Sequence, residues 1–436
     1  MIFTQSSTQT SRFTTSTDHT SRFGFRPSPY RLSASIYRNA VRWYRYATCV
    51  AKRTSKKRPR TIELEPDPAA ELVTPKLERD LDQILGQQRA IETLDAAIQS
   101  GRIHHAWIFH GPAGVGKFTT ALAFAAAILD PDSTPDLSGR VRPDPDSPVQ
   151  RRARDGTHPD LHVIRKELAL FSDNASVRSS KQMTIAKDVI DQRLLQPAYR
   201  AASLEGGLAS KVFIVDEAEL LDRSTSNAVS QNALLKTLEE PPEGTVIILV
   251  TSSEDRLLPT IRSRAQRVAF APLPADAMNT WLNQSDLDPG PHADWLIAHA
   301  AGSPGRLTEA INTNLAAWHK ALSGPLTAAD QGRYDPLLAP TMHSLVDDWA
   351  KAWVEQDDKR SKDAANRMAL DRLFNMIAEH ARTNLAEPKL APRALSQIEA
   401  VGRAEPRLRA NVQPALVLAG LAADLPAGGE ALRLEP

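Results

Sequence analysis

The sequence predicts an α/β fold built on a parallel sheet, followed by a wholly helical C-terminal region. Between residues 77 and 270, short apolar segments of strand length alternate with longer segments of helical periodicity. Strands that alternate with helices form parallel sheets with helices on both faces. From about residue 275 onward no segment has the features of a strand, so helices are expected there.

Five apolar segments are the predicted strands of this sheet. They are residues 106–110, 161–164, 211–215, 245–250 and 268–270. Helices are predicted at 77–100, 119–129, 184–196 and 232–238, and the last of them ends before two prolines, which cannot continue a helix. The segment 130–157 is dominated by Pro, Asp, Ser and Arg, and is predicted to be a long surface loop.

The net charge of +1 conceals a strong asymmetry along the chain. Of the 53 lysines and arginines, 13 lie within residues 1–60, where Asp18 is the one acidic residue. Residues 61–436 therefore hold 40 basic and 51 acidic side chains, a net charge of about −11. The main part of the chain is thus not a general binder of polyanions, and any contact with DNA would be a local patch or would come through partner proteins.

Residues 1–76 are predicted to be a basic tail and linker without stable structure. Residues 1–60 are rich in Ser, Thr and Arg, and residues 66–75 have the composition of a linker. Three interpretations of the tail stay open: a mispredicted upstream start or an uninformative disordered tail, a basic arm that binds DNA or a partner, and an organelle-type targeting segment.

Cysteine content and hydropathy exclude several classes of protein. Cys49 is the only cysteine, which excludes a disulfide within the chain and a zinc site built from several cysteines. No apolar segment approaches the roughly eighteen residues of a membrane span, so we expect a protein of the cytoplasm with no membrane contact.

A glycine-rich loop lies at Gly111–Lys117, between a predicted strand and a predicted helix, and this setting, more than the pattern alone, indicates a phosphate-binding loop. This G-x-x-x-x-G-K pattern lets backbone N–H groups converge on phosphate oxygens, while the helix N-terminus adds positive potential. Gly111, Gly114, Gly116 and Lys117 are therefore predicted to bind a nucleotide.

The next position departs from the usual pattern. A Ser or Thr hydroxyl normally ligates Mg²⁺ there, but this chain has Phe118. Thr119 is a candidate nucleotide-binding residue, although one step along a helix turns it by about 100°, so it is no simple substitute. ATP and Mg²⁺ binding stay open on the sequence alone, and competent hydrolysis is not expected.

An acidic pair follows the predicted strand at 211–215. Asp216 and Glu217 fit a Walker B motif, in which the first carboxylate holds the Mg²⁺ shell and the second polarises the attacking water. If the site is inactive, Glu217 is a vestigial catalytic residue.

Three blocks of sequence resemble the clamp-loader branch of the AAA+ ATPases. They are residues 212–219, residues 232–242, and the Leu-Pro-Thr-Ile-Arg-Ser-Arg segment at 258–264. The resemblance covers about 80–320 well and the C-terminal helices weakly. It implies a RecA-like nucleotide-binding domain at 77–270, a small helical lid at 271–325 and an all-α collar domain for oligomerisation at 326–436.

The same resemblance implies roles for three further positions. Arg264 corresponds to an arginine finger, which acts in trans on the nucleotide of a neighbouring subunit. Ser252 corresponds to the sensor 1 hydroxyl, and Arg306, in Gly302–Arg306, to sensor 2. Each position also has a purely structural alternative: an ion-paired surface arginine for Arg264, a turn residue for Ser252 and a helix-start turn for Arg306.

Within this branch the sequence favours the delta-prime class of bacterial DNA polymerase III subunits. The motor subunits, gamma/tau, normally have a hydroxyl after the P-loop lysine and four zinc-binding cysteines; this chain has neither. The His-Pro-Asp step at 158–160 matches the delta-prime class, and residues 411–414 match it loosely. The lack of zinc cysteines departs from many members of the class.

The function implied by this resemblance is that of a stator in a DNA replication complex. Expected partners are gamma/tau and delta subunits in a hetero-pentameric ring, and the beta sliding clamp and primed DNA through that ring. The chain would then be part of a DNA polymerase holoenzyme, with doubtful ATPase activity of its own. The alternative is an autonomous AAA+ ATPase, either a gamma/tau-like motor or a DNA-remodelling enzyme.

Overall fold

The computed structural model describes residues 76–133, 140, 143–179, 184–204, 206–222, 228–355, 362–409 and 412–427. The predictions for residues 1–75 lie outside the described residues. So does Asn411, the first residue of the loosely matching segment at 411–414.

Five parallel strands form one sheet, as the sequence predicted. They are β1 (Ala106–His110), β2 (Leu161–Ile164), β3 (Lys211–Val215), β4 (Thr245–Thr251) and β5 (Gln266–Ala269). Their order across the sheet is β2-β3-β4-β1-β5, and every neighbouring pair is parallel. Parallel pairing requires crossover connections, and helices supply them here.

Helices cover both faces of this sheet. They are α1 (Gln88–Gln99), α2 (Lys117–Leu129), α3 (Pro148–Asp155), α4 (Ala175–Arg178), α5 (Lys187–Ile190), α6 (Gln196–Ala198), α7 (Val229–Glu239) and α8 (Pro259–Arg262). A π-helical turn at Asp191–Leu195 joins α5 to α6, so the helix predicted at 184–196 is present with a local irregularity.

The prediction of a continuous loop at 130–157 was wrong at its C-terminal end. Helix α3 begins there because Ser147 caps it, accepting a hydrogen bond from the backbone N–H of Gln150, and Pro148 fits the first turn. The helix ends at Gly156, whose φ of 67° is the left-handed conformation typical of a C-terminal cap. Its apolar face buries Val149 and Ala153, which a count of polar residues does not reveal.

Side chains of alternate residues in the strands build a separate core on each face of the sheet. On one face, Trp107 and Phe109 of β1 pack with Phe124 of α2, with the Trp107 and Phe124 ring centroids 5.2 Å apart. On the other face, Ile108 and Phe213 pack with the helices around α7. Burial on both faces explains why β1 and β3 are continuously apolar in sequence.

The described residues after β5 are helical. Their helices are α9 (Ala275–Asn283), α10 (Ala293–Ala300), α11 (Pro304–Asn312), α12 (Leu315–Asp330), α13 (Leu338–Glu355), α14 (Lys362–Asn384), α15 (Ala391–Arg409) and α16 (Pro414–Asp424). One hydrophobic cluster extends through them from Met278 to Leu425. Within the described part of the chain, no helix is both long and apolar enough to cross a bilayer.

The predicted division into domains at 77–270, 271–325 and 326–436 stays a prediction. Its second boundary falls inside α12, a helix that runs from Leu315 to Asp330 and contains Pro325.

Candidate nucleotide-binding site

The order of the strands brings the predicted motifs to one edge of the sheet. Strand β4 lies between β1 and β3. The loop after β1, Ser252 after β4 and Asp216 after β3 therefore lie side by side at the carboxyl ends of the strands. This is the edge at which open α/β sheets bind their ligands.

The glycine-rich loop has the backbone that a phosphate cradle requires. Gly111, Gly114 and Gly116 have φ values of 142°, 75° and 97°, a region that side chains disfavour. A Cβ at Gly111 would lie 2.2 Å from the carbonyl oxygen of Phe270, whereas one at Gly116 would meet no atom within 4 Å. Gly116 therefore faces open space at the start of α2, where an anion would be received.

Lys117 lies folded against the loop that precedes it. Its Nζ donates hydrogen bonds to the carbonyl oxygens of Gly111, at 2.7 Å, and Pro112, at 2.5 Å. Burial lowers the pKa of this ammonium to about 8, although the acidic Glu219 and Asp216 nearby raise it. A phosphate would offer Lys117 a charged acceptor in place of two neutral carbonyls.

The Walker B carboxylates are both paired with basic residues that follow β2. Asp216 Oδ2 lies 3.1 Å from Arg165 Nε, and Glu217 Oε2 lies 2.7 Å from Lys166 Nζ. Burial raises the pKa of Asp216, and the charge of Arg165 opposes this shift. Glu217 has a φ of 50°, a left-handed conformation that is uncommon outside functional turns for a residue with a side chain.

Phe118 is covered by the same arginine. The guanidinium carbon of Arg165 lies 4.4 Å from the centroid of the Phe118 ring, a cation–π contact. The guanidinium of Arg165 thus contacts two groups. One is the ring of Phe118, which stands where a metal-ligating hydroxyl is usual, and the other is the carboxylate of Asp216, which would ligate the same metal.

Ser252 lies at the predicted sensor position, and its polar groups are engaged. Its hydroxyl and its backbone N–H both donate to the carboxylate of Glu219, the N–H at 3.2 Å from Oε1. Glu219 thereby links the end of β4 to the turn after β3.

These residues surround a cavity of about 430 Å³, within the range of small-molecule sites. Its lining includes six of the predicted nucleotide-binding residues: Gly114, Gly116, Lys117, Thr119, Asp216 and Ser252. Glu217 and Phe118 also line it. Its lining also includes four large apolar residues, against which a flat base could pack: Ile84, Leu85, Leu273 and Trp281.

The start of α11 packs directly against the glycine-rich loop. The backbone N–H of Gly305 donates to Gly114 O at 2.9 Å, and Ser303 Oγ donates to Ala113 O at 2.9 Å. Arg306 is not among the residues that line the cavity of about 430 Å³; it lines a smaller cavity of about 200 Å³ with His299 and Arg372. The predicted sensor 2 motif therefore reaches the loop through its backbone and its serine, and the role of the Arg306 side chain stays a prediction.

Arg264 lies apart from this cavity, on the turn after α8. Its guanidinium is 37% exposed, lies 2.7 Å from Glu239 Oε1, and donates to Thr260 O at 3.0 Å. It is not among the residues that line the cavity around the glycine-rich loop, and its role as an arginine finger stays a prediction.

Residues 86–274 match the family model described as "DNA polymerase III, delta subunit". The chain is 30% identical over 223 residues to DNA polymerase III subunit delta' of Bacillus subtilis, a match that covers 51% of this chain and 58% of that protein. It is 33% identical over 202 residues to the delta' subunit of Pseudomonas aeruginosa, covering 46% of this chain and 53% of that protein.

The resemblance to clamp-loader subunits is confirmed. It also extends to the gamma/tau subunit of Mycobacterium tuberculosis, at 29% identity over 205 residues, with 46% of this chain and 30% of that protein covered. The chain spans a little over half the length of the two delta' relatives. The family match holds the glycine-rich loop, the Walker B pair and Arg264, and it ends before Arg306.

Sequence reasoning missed several residues that shape this clamp-loader-like site. Arg165 and Lys166 gave a faint signal, two cations directly after a predicted strand. Gln87 gave none: its buried amide donates to Val115 O at 3.1 Å and to Ala271 O at 2.7 Å, tying the loop to the segment after β5. Asp160 of the His-Pro-Asp step lies at the opposite end of β2 and does not line the cavity; it is buried and accepts hydrogen bonds from the N–H groups of Ser203 and Leu204.

Proposed function

We propose that this chain is the delta-prime-type stator of a bacterial clamp loader, and that Arg264 acts in trans on ATP bound by a neighbouring gamma/tau subunit. The ring would hold delta, gamma/tau and this chain, and would place the beta sliding clamp on primed DNA in the cytoplasm. The match of residues 86–274 to the DNA polymerase III family and the likeness to two delta' subunits support this assignment.

The observation that carries the proposal is a contrast between the chain's own nucleotide site and Arg264. At the chain's own site, Phe118 offers no oxygen to a metal, and Asp216 is paired with Arg165 at 3.1 Å. Arg264, by contrast, lies outside this site with a partly exposed guanidinium. A subunit that offers an arginine and lacks a complete metal site of its own is suited to assist a neighbour.

A planar guanidinium suits this role because it stays charged and can donate two parallel hydrogen bonds to phosphate oxygens. Arginine fingers supplied by one protein to another accelerate phosphoryl transfer by about 10³–10⁵-fold. Loss of Arg264 is therefore expected to affect the ATPase rate of the assembled complex and not the folding of this chain.

The test is steady-state ATP hydrolysis by the chain alone and by a mixture with cognate gamma/tau, delta, clamp and primed DNA. We expect no turnover by the chain alone, and at least a tenfold lower clamp-stimulated rate in the mixture with Arg264→Ala. Arg267→Ala is the matched control, because Arg267 lies three residues away, is 54% exposed and pairs with Glu254.

The autonomous ATPase is the outcome that would contradict this proposal. Robust hydrolysis by the isolated chain that is abolished by Lys117→Ala and unaffected by Arg264→Ala would make the chain a motor in its own right. Equal ATPase rates for the Arg264→Ala and Arg267→Ala mixtures would contradict the proposed action of Arg264 on a neighbour's ATP.

A further inference from the structure

The register of β2 and β3 places two cations opposite the Walker B carboxylates. Ile164 and Val215 are paired at the ends of these strands, and the N–H of Asp216 donates to Ile164 O at 3.0 Å. The residues that follow are therefore also opposite each other, Arg165 facing Asp216 and Lys166 facing Glu217. The two ion pairs, at 3.1 Å and 2.7 Å, follow from this alignment.

The residues that would hold Mg²⁺ do not fit that ion. Mg²⁺ requires a near-octahedral shell of oxygens at about 2.0–2.1 Å. Asp216 Oδ2 contacts Arg165, and Oδ1 accepts the backbone N–H of Glu217 at 3.1 Å. The P-loop position that should add a hydroxyl is the Phe118 ring, covered by Arg165 at 4.4 Å.

The groups that receive phosphate are nevertheless retained. Gly116 faces open space, Lys117 is held beside the loop, and the cavity of about 430 Å³ has apolar residues in its lining. In a metal-dependent site, the +2 charge of the metal offsets the two carboxylates. Here Arg165 and Lys166 together supply the same formal charge from within the protein.

We propose that this cavity binds a nucleoside triphosphate without a divalent metal ion, because Arg165 and Lys166 neutralise the carboxylates that a metal would otherwise offset. Arg165 acts as a positioning residue through Asp216, since it does not line the cavity. The bound nucleotide would stabilise the contact between the glycine-rich loop and the start of α11. This inference does not depend on the role of Arg264 in a neighbour.

The test is calorimetric titration of the full-length chain with ATP, once in EDTA and once in excess Mg²⁺. We expect dissociation constants within about threefold of each other in the two conditions. An affinity at least tenfold weaker in EDTA would overturn the proposal, and so would the absence of binding in both. Because the isolated chain is titrated, failure here leaves the ring ATPase test of Arg264 untouched.

Substitutions of Arg165 and Lys166 test whether these two cations allow ATP to bind without a metal ion. Arg165→Met is expected to weaken ATP binding in EDTA by at least tenfold and to regain affinity in Mg²⁺, because Asp216 is freed for the metal. Lys166→Met, at a position about as exposed as Arg165, tests the same idea through the second ion pair and is expected to weaken binding in EDTA two- to fivefold. Arg102→Met, at an exposed arginine that does not line the cavity, is the control. Binding in EDTA by the Arg165 and Lys166 variants that equals that of the control would overturn the assigned role.

Discussion

Lys117 shows how burial and charge oppose each other at a single residue. The residue is only 6% exposed, and its ammonium donates to two neutral carbonyl oxygens. Two neutral acceptors do not recover the hydration that the ammonium loses on burial, so its pKa falls to about 8. The folded chain therefore holds the charged form of Lys117 at a cost to its own stability.

Replacing Lys117 by methionine should therefore stabilise the ligand-free protein at neutral pH. A lysine whose pKa is lower in the folded chain destabilises it below that pKa, and the cost disappears as pH rises from about 8 towards the unfolded value of 10.5. We expect Lys117→Met to raise the free energy of unfolding by about 1–3 kcal/mol at pH 7, and by less at pH 9.5. Urea unfolding at both values measures this, with the exposed Lys236→Met as control. A difference from wild type that does not shrink with pH would contradict the explanation.

The pair between Arg264 and Glu239 sets how readily the proposed finger is available. Both side chains are partly exposed, at 37% and 50%, so their contact at 2.7 Å is worth about 1 kcal/mol or less. In the assembled ring, Arg264 would have to exchange Glu239 for a phosphate. Glu239→Gln is therefore expected to raise the ATPase rate of the complex with clamp by up to about fivefold, under conditions in which assembly of the ring limits that rate.

The matched control for that exchange is Glu240→Gln, the same change one residue further along the chain. Its rate should equal that of the wild-type mixture. A lower rate with Glu239→Gln would mean that Glu239 orients Arg264 for the reaction instead of competing for it.

At the scale of elements, the contact between the glycine-rich loop and α11 depends on two glycines. A Cβ at Gly305 would lie 2.8 Å from Gly114 Cα, and a Cβ at Gly114 would lie 2.5 Å from Ser303 Oγ. The two backbones approach closely enough for the hydrogen bond from Gly305 N–H to Gly114 O, at 2.9 Å. The packing of α11 onto the loop is thus a close backbone contact, which a side chain at either glycine would separate.

This contact reverses the usual effect of a glycine-to-alanine change in a helix. Alanine normally stabilises a helix by about 0.5–1 kcal/mol relative to glycine. Gly402→Ala in α15, where the added methyl meets no atom within 4 Å, should show that gain. Gly305→Ala in α11 should instead destabilise the chain by about 1–3 kcal/mol, because the backbone of Gly114 cannot move aside. Thermal unfolding of both variants compares them, and a stabilised Gly305→Ala would show that the loop and α11 are not in contact in solution.

The sequence predicted elements whose signal is local and missed those whose signal depends on pairing. Strands β1, β2 and β3 have the predicted bounds because each is a short apolar run buried on both sides. Helix α3 was missed because only two of its three buried residues are apolar and these lie among charged ones, so that its cap was the main signal. The Arg165–Asp216 pair could not be predicted, since 51 residues separate the two and their approach is set by the register of β2 and β3.

At the scale of the whole molecule, the half-buried His162 and the buried His299 are expected to make the fold sensitive to acid. Burial lowers the pKa of His162, stacked on Phe213 with centroids 4.9 Å apart, to about 4. In the helical region, burial also lowers the pKa of His299 to about 4, and the charge of Arg306 contributes in the same direction. The Trp295 ring stacks on the His299 ring, with centroids 5.1 Å apart.

Each histidine should therefore take up a proton when the chain unfolds between pH 6.5 and 4. A histidine that is neutral in the folded chain and charged in the unfolded chain makes the free energy of unfolding decrease as the pH falls. The decrease is up to about 1.4 kcal/mol per pH unit for each proton. His162→Phe and His299→Phe preserve the aromatic stacking and should each reduce this slope by close to one proton. Urea unfolding at pH 4.5, 5.5 and 6.5 measures the slopes, and His343→Phe provides the same exchange at an exposed position. If both buried-site variants keep the wild-type slope, acid sensitivity in this range arises from other groups, and the two stacked rings only fill space.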